Sequence, residues 1–281
     1  MDLGGKTCLV TGSTDGVGRL VALELGRAGA QVLIHGRDRP RAERVMDELR
    51  AAGASARFYR ADLASLDEVR RLAAAVRRDH QRLELLINNA GIGSASGGRQ
   101  RRTSADGHEL RFAVNYLSGF LLTRLLLPLI TASAPSRIVN VASAGQSAID
   151  FEDVMLSRRY DGGTAYTRSK LAQIMFTFDL ARELDGSGVT VNCLHPATYM
   201  DTTMVRESGV SPISTVAEGA AAILHLAGSP ELDGRTGLYF NGKQPARAHP
   251  QAYDDGARRR LSALSRQLTG EGGPPSGTAA S

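Results

Sequence analysis

The sequence predicts an α/β fold: one doubly wound domain in which a seven-stranded parallel sheet carries helices on both faces. Short runs rich in Val, Leu and Ile alternate along the chain with longer segments of helical periodicity. Most of the short runs lack polar alternation, which is typical of strands that are buried on both faces. A glycine-rich turn joins the first strand to the first helix, as in folds that bind phosphates at this point.

The predicted elements follow one another in strand-then-helix order. The strands are Thr7–Thr11, Gln31–His35, Ala56–Arg60, Leu83–Asn88, Arg137–Val141, Thr190–Leu194 and Gly237–Asn241. The helices are Gly18–Ala28, Arg39–Ala52, Leu66–Arg78, Ala105–Ile130, Ala165–Leu184 and Val216–Leu226. This places a single domain at residues 1–245. Residues 246–281 form a C-terminal extension with one helix, Pro250–Leu268, and a Gly- and Pro-rich tail that we expect to be disordered.

Composition narrows the possible partners. The net charge is +5, but the basic residues form no single stripe and aromatic residues are only 5%, so we expect no nucleic-acid partner. The apolar stretch Gly119–Ile130 contains Arg124 and Pro128, and we expect no membrane span there. The N-terminal residues lack the basic and then apolar run of a secretion signal, which predicts a cytoplasmic protein. Cys8 and Cys193 show no metal-ligand spacing and are predicted to be buried thiols.

The turn after the first strand reads Thr11-Gly12-Ser13-Thr14-Asp15-Gly16-Val17-Gly18. Glycine has no Cβ, so the backbone here can turn tightly and approach a pyrophosphate at the N-terminus of the next helix. The spacing G-x-x-x-G-x-G differs from the usual dinucleotide fingerprint G-x-G-x-x-G. A structural turn is the alternative interpretation of this stretch.

These motifs resemble those of the short-chain dehydrogenases/reductases, from about Lys6 to about Gly242. Thr11, Gly12, Gly16 and Gly18 match the family pattern T-G-x-x-x-G-x-G, and Asn88–Gly91 reads NNAG after the fourth strand. The stretches FAVNYLSGFLLT, RIVNVASAG and IDFEDV…YDGGTAYTRSKLA look most similar to the retinol-dehydrogenase-like branch.

The resemblance implies a Rossmann-type domain that binds a nicotinamide cofactor. The residues that it places against the cofactor are Gly12, Ser13, Asp15, Gly16, Val17, Gly18, Arg37, Asp62, Leu63, Asn89, Ala90, Gly91, Tyr166, Lys170, Pro196 and Thr198. It also implies a homodimer or homotetramer formed through the two long helices. The C-terminal extension could instead cover that surface or the mouth of the active site.

The end of the second strand bears on the choice of cofactor. In relatives that use NAD an acidic residue stands where this chain has Gly36, and Arg37 follows at once. An arginine here would accept the extra phosphate of NADP, so the resemblance implies NADP(H). NAD(H) stays possible because Asp38 could reach a ribose hydroxyl, and Asp15 stands where NADP-using relatives place a basic residue. Asp62 could also be a helix or turn cap.

Tyr166 and Lys170 carry the chemistry that the sequence predicts. The chain has only three lysines, and one of them follows a tyrosine by four residues, which puts both on one face of a helix. A tyrosine with its usual pKa near 10 is a poor proton carrier at neutral pH. A nearby cation stabilises the tyrosinate and lowers that pKa. The pair is therefore predicted to protonate and deprotonate a substrate oxygen.

Ser143 and Asn115 complete the predicted catalytic tetrad. Ser143 ends the fifth strand in VASAG, and ligands of open parallel sheets bind beyond the carboxyl ends of strands. Asn115 lies in the middle of a predicted helix, where its side chain competes for backbone hydrogen bonds. In the family the serine orients the substrate oxygen, and the asparagine holds a water in a proton relay to the lysine. A cap for Ser143 and a structural role for Asn115 are the alternatives.

Two variable segments border the predicted site. Tyr199–Ser211 should form a lid, in which Tyr199 and Met200 either contact substrate or simply pack. His195 is predicted to be structural. The run Arg99–Arg102 lies in the loop Ile92–Thr103, and a solvated charge run is favoured there over an anion site.

The sequence as a whole predicts an NADP(H)-dependent oxidoreductase that interconverts a ketone or aldehyde and an alcohol. Tyr166 is the general acid/base of this reaction. An epimerase or dehydratase on the same fold is one alternative, although the chain is short after its last strand. A cofactor-binding regulator without turnover is the other, although it would often have lost the tyrosine or the lysine.

Overall fold

The structure, a computed structural model, describes residues 2–95 and 100–271. Its sheet has the strand order β3-β2-β1-β4-β5-β6-β7-β8. The strands are β1 Thr7–Val10, β2 Gln31–Gly36, β3 Ala56–Arg60, β4 Leu85–Asn88, β5 Ser136–Val141, β6 Val189–His195, β7 Tyr239–Asn241 and β8 Gln244–Pro245. The first seven are parallel, as predicted. The sequence prediction missed β8, a two-residue strand that pairs antiparallel with β7, because it is too short to show a period.

Helices cover both faces of the sheet. They are α1 Gly16–Arg27, α2 Arg39–Ala51, α3 Leu66–Asp79, α4 Leu110–Phe112, α5 Ser118–Ala132, α6 Gly162–Glu183, α7 Thr203–Glu207, α8 Val216–Gly228 and α9 Asp255–Thr269. One hydrophobic cluster packs α3, α5 and α6 on one face, and the other packs α1, α2 and α8 on the opposite face. Every residue of β1 and β4 is buried, which explains their lack of polar alternation.

The chain order reverses between β1 and β4, which are neighbours in the sheet although β2 and β3 intervene in sequence. Crossovers on the two sides of this point leave in opposite directions, so a crevice opens beyond the carboxyl ends of the strands. The glycine-rich turn after β1 and the NNAG segment after β4 both lie at this edge.

The long helix predicted at Ala105–Ile130 begins later and is interrupted. It starts at Leu110, passes through a π-helical turn at Ala113–Leu117 and continues as α5. By length and composition alone, the helix Leu110–Ala132 could cross a membrane. The sequence prediction considered only the shorter apolar stretch Gly119–Ile130. In this structure Leu110–Ala132 packs into the core, with 61% of its most apolar window buried.

The C-terminal extension folds back onto the domain. A 3₁₀ turn at Pro250–Tyr253 leads into α9, whose Ser265 hydroxyl lies 2.7 Å from the Tyr116 hydroxyl of the π turn. Arg258 of α9 donates to Asp179 of α6 at 2.7 Å. The extension therefore covers part of the face that α5 and α6 were expected to use for self-association. Residues 272–281 of the predicted disordered tail lie outside the described residues.

Candidate active site

The glycine-rich turn is packed so closely that side chains are excluded from it. A Cβ on Gly18 would lie 2.3 Å from the Gly12 carbonyl oxygen and 2.4 Å from Nδ2 of Asn89. Gly12 has a φ of +66°, and a Cβ there would lie 2.9 Å from Cα of Ala90. Both glycines are thus required by the turn itself, and the turn opens directly into α1. The Gly16 N–H at the start of α1 donates to Asp15 at 2.8 Å, and the N–H groups that follow it suit a phosphate.

His35 of β2 supports this turn from below. Its Nδ1 accepts from the Gly12 N–H at 3.1 Å, and its Nε2 lies 3.2 Å from the Ala61 carbonyl oxygen. Burial lowers the pKa of His35 to about 4, so the ring stays neutral at neutral pH with Nε2 as the donor. The sequence placed Ser13 among the cofactor contacts. The structure shows its buried hydroxyl accepting from the His35 N–H at 3.0 Å.

The NNAG segment is joined to the same turn. Asn89 donates through Nδ2 to the carbonyl oxygens of Thr11 and Gly12 at 2.8 and 3.2 Å. The hydroxyl of Thr11 accepts from the N–H groups of Asn89 and Ala90 at 2.9 and 3.0 Å. The predicted cofactor residues after β1 and β4 therefore form one rigid unit. The Asn89 side chain joins the two segments of this unit.

Charged residues line the outer rim beside β2, here named the rim cluster: Asp15, Arg37, Asp38 and Arg41. Asp15 caps α1 and accepts from Nη1 of Arg41 at 3.0 Å. Asp38 caps α2, accepting from the Arg41 N–H at 2.9 Å, so its carboxylate is already engaged. Arg37 is exposed and its Nη1 lies 3.7 Å from Asp62. Arg41 is a member that sequence reasoning missed.

Gly36 makes room for this arrangement. A Cβ at Gly36 would lie 2.6 Å from Cγ2 of Thr14. In the turn after β3, Asp62 accepts from the Ala64 N–H at 3.0 Å, as the cap interpretation proposed, and Leu63 is buried. The Val17 side chain is partly buried on α1.

Ser143 and Tyr166 lie together at the carboxyl end of β5. The Ser143 hydroxyl accepts from the Gly145 N–H at 3.1 Å, which leaves its own proton for another acceptor. Tyr166, one turn into α6, lies close to Ser143: a Cβ on Gly145 would lie 3.6 Å from Oγ of Ser143 and 4.0 Å from Cε1 of Tyr166. Burial raises the pKa of Tyr166, and the nearby Ser143 hydroxyl opposes that rise. The two side chains predicted to face substrate therefore lie beside each other.

Lys170 lies one turn further along α6 and is buried. Its Nζ donates to the Val141 carbonyl oxygen at 2.9 Å and lies 5.8 Å from the centre of the Tyr166 ring. Burial lowers the pKa of Lys170 to about 7. At the end of β6, burial and then the charge of Lys170 lower the pKa of His195.

Asn115 lies within the π-helical turn, a feature that recurs at functional sites. Its Oδ1 accepts from the Ile92 N–H at 2.8 Å, while Nδ2 donates to the Ile92 carbonyl oxygen at 3.2 Å and to Ser169 at 3.0 Å. The side chain thus joins the segment after NNAG to α6. A Cβ on Gly91 would lie 3.2 Å from Oδ1 of Asn115 and 3.6 Å from Nζ of Lys170. The missing Cβ keeps the space between them open.

Sequence reasoning also missed a buried arginine one turn before Asn115. Arg111 donates to the carbonyl oxygens of Gly93 and Ser94 at 3.0 and 2.6 Å, and it contacts the Tyr160 hydroxyl. Its Nη1 lies 3.7 Å from Glu109. Like Asn115, Arg111 therefore forms hydrogen bonds that hold the loop beyond Gly91 in place. Only tertiary contact reveals this, because an arginine in a helix carries no sequence signal.

The segment after β6 lies beside the site. Pro196 is buried, and Thr198 is exposed with its hydroxyl 3.0 Å from Nε2 of His195. Tyr199 has a φ of +44° and is exposed. Met200 packs on α8, where a Cβ on Gly219 would lie 2.1 Å from its sulfur. The packing interpretation therefore fits Met200, whereas Tyr199 stays available.

The arginine run beside the site divides in two. Arg101 donates to the Met155 carbonyl oxygen at 2.9 Å, and Arg102 is exposed. Arg99 lies outside the described residues. Among residues 2–95 and 100–271, no group of three His, Cys, Asp or Glu is placed to hold a metal.

The likeness to known proteins agrees with this geometry. A family model described as short chain dehydrogenase matches residues 6–211. The chain is 39% identical to human retinol dehydrogenase 13, over 95% of this chain and 85% of that protein. It is also 39% identical to human retinol dehydrogenase 14, over 95% of this chain and 87% of that protein.

Two solved structures extend the comparison to three dimensions. The Pseudomonas aeruginosa RhlG/NADP active-site complex gives a TM-score of 0.70 at 31% identity, over 85% of this chain and 95% of that chain. A metagenomic short-chain oxidoreductase in complex with NADP gives 0.59 at 31% identity, over 70% and 84% of the two chains.

Proposed function

Since the chain belongs to the short-chain dehydrogenase family, we propose that it interconverts a ketone or aldehyde and an alcohol with NADP(H), using Tyr166 as general acid/base. The observation that carries this proposal is the placement of Ser143 and Tyr166 side by side, with the buried Lys170 5.8 Å from the centre of the Tyr166 ring. All three lie at the sheet edge where the glycine-rich turn opens. The absence of Cβ atoms at Gly12, Gly16 and Gly18 fits a dinucleotide phosphate at that turn.

The residues of the chain handle the proton and the oxygen, while the nicotinamide supplies the hydride when bound. In the reducing direction Ser143 donates a hydrogen bond to the carbonyl oxygen and Tyr166 gives it a proton. We propose that the Lys170 ammonium, whose Nζ lies 5.8 Å from the centre of the Tyr166 ring, stabilises the tyrosinate that results. In the oxidising direction the same groups act in reverse.

We propose that Asn115 supports proton supply through its backbone. Its side-chain amide is engaged by Ile92 and Ser169, so we propose that its backbone carbonyl oxygen, rather than the side chain, meets the relay water. The side chain then fixes the geometry of that turn against α6.

We propose that NADP(H) is preferred over NAD(H). Arg37 at the end of β2 is exposed and weakly paired, so it is available to a phosphate. Asp38, the residue that would favour NAD, caps α2 instead. Two structurally similar proteins were solved with NADP.

An apolar substrate fits the lid best. The exposed large hydrophobic residues of the described chain are concentrated in residues 199–213, where Ile213 is 70% and Tyr199 49% exposed. The similar human proteins are named retinol dehydrogenases. We therefore propose a lipophilic aldehyde or alcohol as the substrate class.

One assay tests cofactor and substrate together. The enzyme is given retinaldehyde or a short polar aldehyde, with NADPH or NADH, and the loss of absorbance at the nicotinamide band is followed. We expect retinaldehyde with NADPH to give the highest kcat/KM. Turnover of neither aldehyde with either cofactor would contradict the proposal.

Two further expectations stay predictions. Cell fractionation tests the cytoplasmic location. Light scattering after size-exclusion chromatography tests the homodimer or homotetramer, which α9 would confine to surfaces that it leaves open.

A further inference from the structure

The Lys170 ammonium has a second acceptor that the family motifs do not include. Nζ lies 3.0 Å from Oε1 of Gln173, three residues further along α6. Lys170 and Gln173 are only 5% and 4% exposed. Together with the Val141 carbonyl oxygen, this amide oxygen occupies two of the three N–H donors of the ammonium. The third N–H is left for the site, where Gly91 keeps space open beside Nζ.

Gln173 belongs to a buried polar chain that crosses the core. The backbone carbonyl oxygen of Gln173 accepts from the Thr177 hydroxyl at 2.8 Å, and that hydroxyl accepts from Nδ2 of Asn140 at 2.9 Å. Oδ1 of Asn140 accepts from Asn88 at 2.9 Å. The chain therefore runs from α6 across β5 to β4. It holds α6, the helix that carries both Lys170 and Gln173, to the sheet.

A hydrogen-bond acceptor is important for the Lys170 ammonium because this side chain is buried. A buried charge is costly unless it is hydrogen-bonded, and a hydrogen bond to the charged form favours that form. Gln173 provides the side-chain acceptor that the described residues give to Nζ. An apolar side chain at this position would leave the ammonium with the Val141 carbonyl oxygen alone.

We propose that Gln173 is a positioning residue of the site: its amide oxygen holds the Lys170 ammonium at the end of β5, where the charge acts on Tyr166. The inference rests on the proposed function and deepens it. Gln173 itself touches neither Tyr166 nor the open side of the site in the hydrogen bonds described.

The other groups around Lys170 allow the effect to be isolated. In the described part of the chain, the titratable groups that face it are Tyr166 on its own helix and His195 at the end of β6. Asn115 and Gly91, which approach from the π turn and from the loop after β4, do not ionise. Because burial already lowers the pKa of Lys170 to about 7, a change of acceptor alters its charge state at neutral pH.

The small number of lysines makes a direct measurement possible. The full chain has only Lys6, Lys170 and Lys243. Protein labelled with ¹⁵N at the lysine Nζ should give three side-chain signals, and Lys170→Met identifies the one from the site. Its pKa is then measured by NMR titration in the wild type, Gln173→Met, Gln173→Glu and Thr177→Val. Methionine keeps the volume of glutamine without its acceptor, and glutamate keeps an acceptor and adds charge.

We expect Gln173→Met to lower the pKa of Lys170 by about one unit, and Gln173→Glu to raise it. Thr177→Val breaks the polar chain one turn away without touching Lys170 and should leave that pKa unchanged. The pH midpoint for alcohol oxidation should move upward in Gln173→Met. With a lower pKa, Lys170 carries less positive charge at a given pH and therefore stabilises the tyrosinate less.

The proposal is overturned if Gln173→Met leaves the Lys170 titration unchanged, or if Thr177→Val shifts it equally. Should Gln173→Met fail to fold, the upward shift in Gln173→Glu carries the test, and its absence overturns the proposal. The titration needs no turnover. An inactive wild type that shows the expected shifts would therefore contradict the proposed function while leaving the role of Gln173 intact.

Discussion

Charged side chains are exposed to water at one end of the candidate site and buried at the other. At the rim, Arg41 and Asp15 form an ion pair in which both side chains are about half exposed, at 47% and 49%. In the interior, Lys170 is buried and is held by Val141 and Gln173. Water screens the rim, so each contact there contributes little and can exchange when a ligand arrives. The interior lacks that screening, so a single acceptor or proton has a large effect.

The largest effect that this comparison predicts comes from His35, beneath the glycine-rich turn. Its pKa is about 4 in the fold against 6.5 in the unfolded chain. Between these values the unfolded state binds more protons, so stability is complete above pH 6.5 and falls as the pH drops toward 4. His35 alone should account for a loss of about 3 kcal/mol across this window.

Urea unfolding at several pH values checks this expectation. His35→Gln can keep the turn while removing the titrating group, so the stability of the variant should fall less between pH 6.5 and 4. Comparing the two slopes isolates His35 from His80 and His195, whose pKa values are also lowered by burial. Equal slopes for the wild type and His35→Gln would refute the buried neutral histidine.

A smaller effect is expected at the rim. Arg37→Ala should weaken NADPH binding about tenfold and leave NADH binding nearly unchanged, because it removes one exposed guanidinium partner of the phosphate. Arg39→Ala is the matched control. It removes the same charge two residues away, from a side chain that stacks on Phe58.

Fluorescence titration of each cofactor measures both variants. A loss of NADH affinity equal to that of NADPH would mean that Arg37 supports the fold of the rim rather than the phosphate. If Arg39→Ala had the same effect as Arg37→Ala, the preference would reflect overall charge instead of one contact.

The smallest effect is expected at the lid. The Thr203 hydroxyl donates to Asp15 at 3.0 Å and so joins α7 to the rim. This contact is exposed, so Thr203→Val should change KM by no more than about threefold, with kcat unchanged. Steady-state kinetics with a fixed aldehyde gives both constants. A tenfold change in either one would show that the lid depends on this bond far more than its exposure suggests.

The sequence predicts those parts of the molecule whose signal is local. Buried strands have a continuous apolar pattern, the glycine-rich turn needs residues without Cβ, and Tyr166 and Lys170 share a helix face at a fixed spacing. The seven parallel strands and the meeting of Ser143 with Tyr166 follow from these patterns together with the family resemblance.

Features that depend on distant segments meeting could not be predicted in this way. The π turn occurs where the Asn115 side chain forms hydrogen bonds with both Ile92 and Ser169. Arg41 meets Asp15 only because α2 begins beside α1. The polar sequence of α9 does not indicate which surface of the domain this helix covers. The acceptor role of Gln173 is visible only once Lys170 is known to be buried.

The most direct test of the central claim is the comparison of Tyr166→Phe with the wild type in two measurements on the same preparation. Phenylalanine keeps the ring beside Lys170 and removes only the hydroxyl. We predict that NADPH binding changes by less than about threefold, while kcat for the carbonyl substrate falls by about 10² to 10⁴. A Tyr166→Phe enzyme that keeps the kcat of the wild type would contradict the account, because the proton would then have to come from another group.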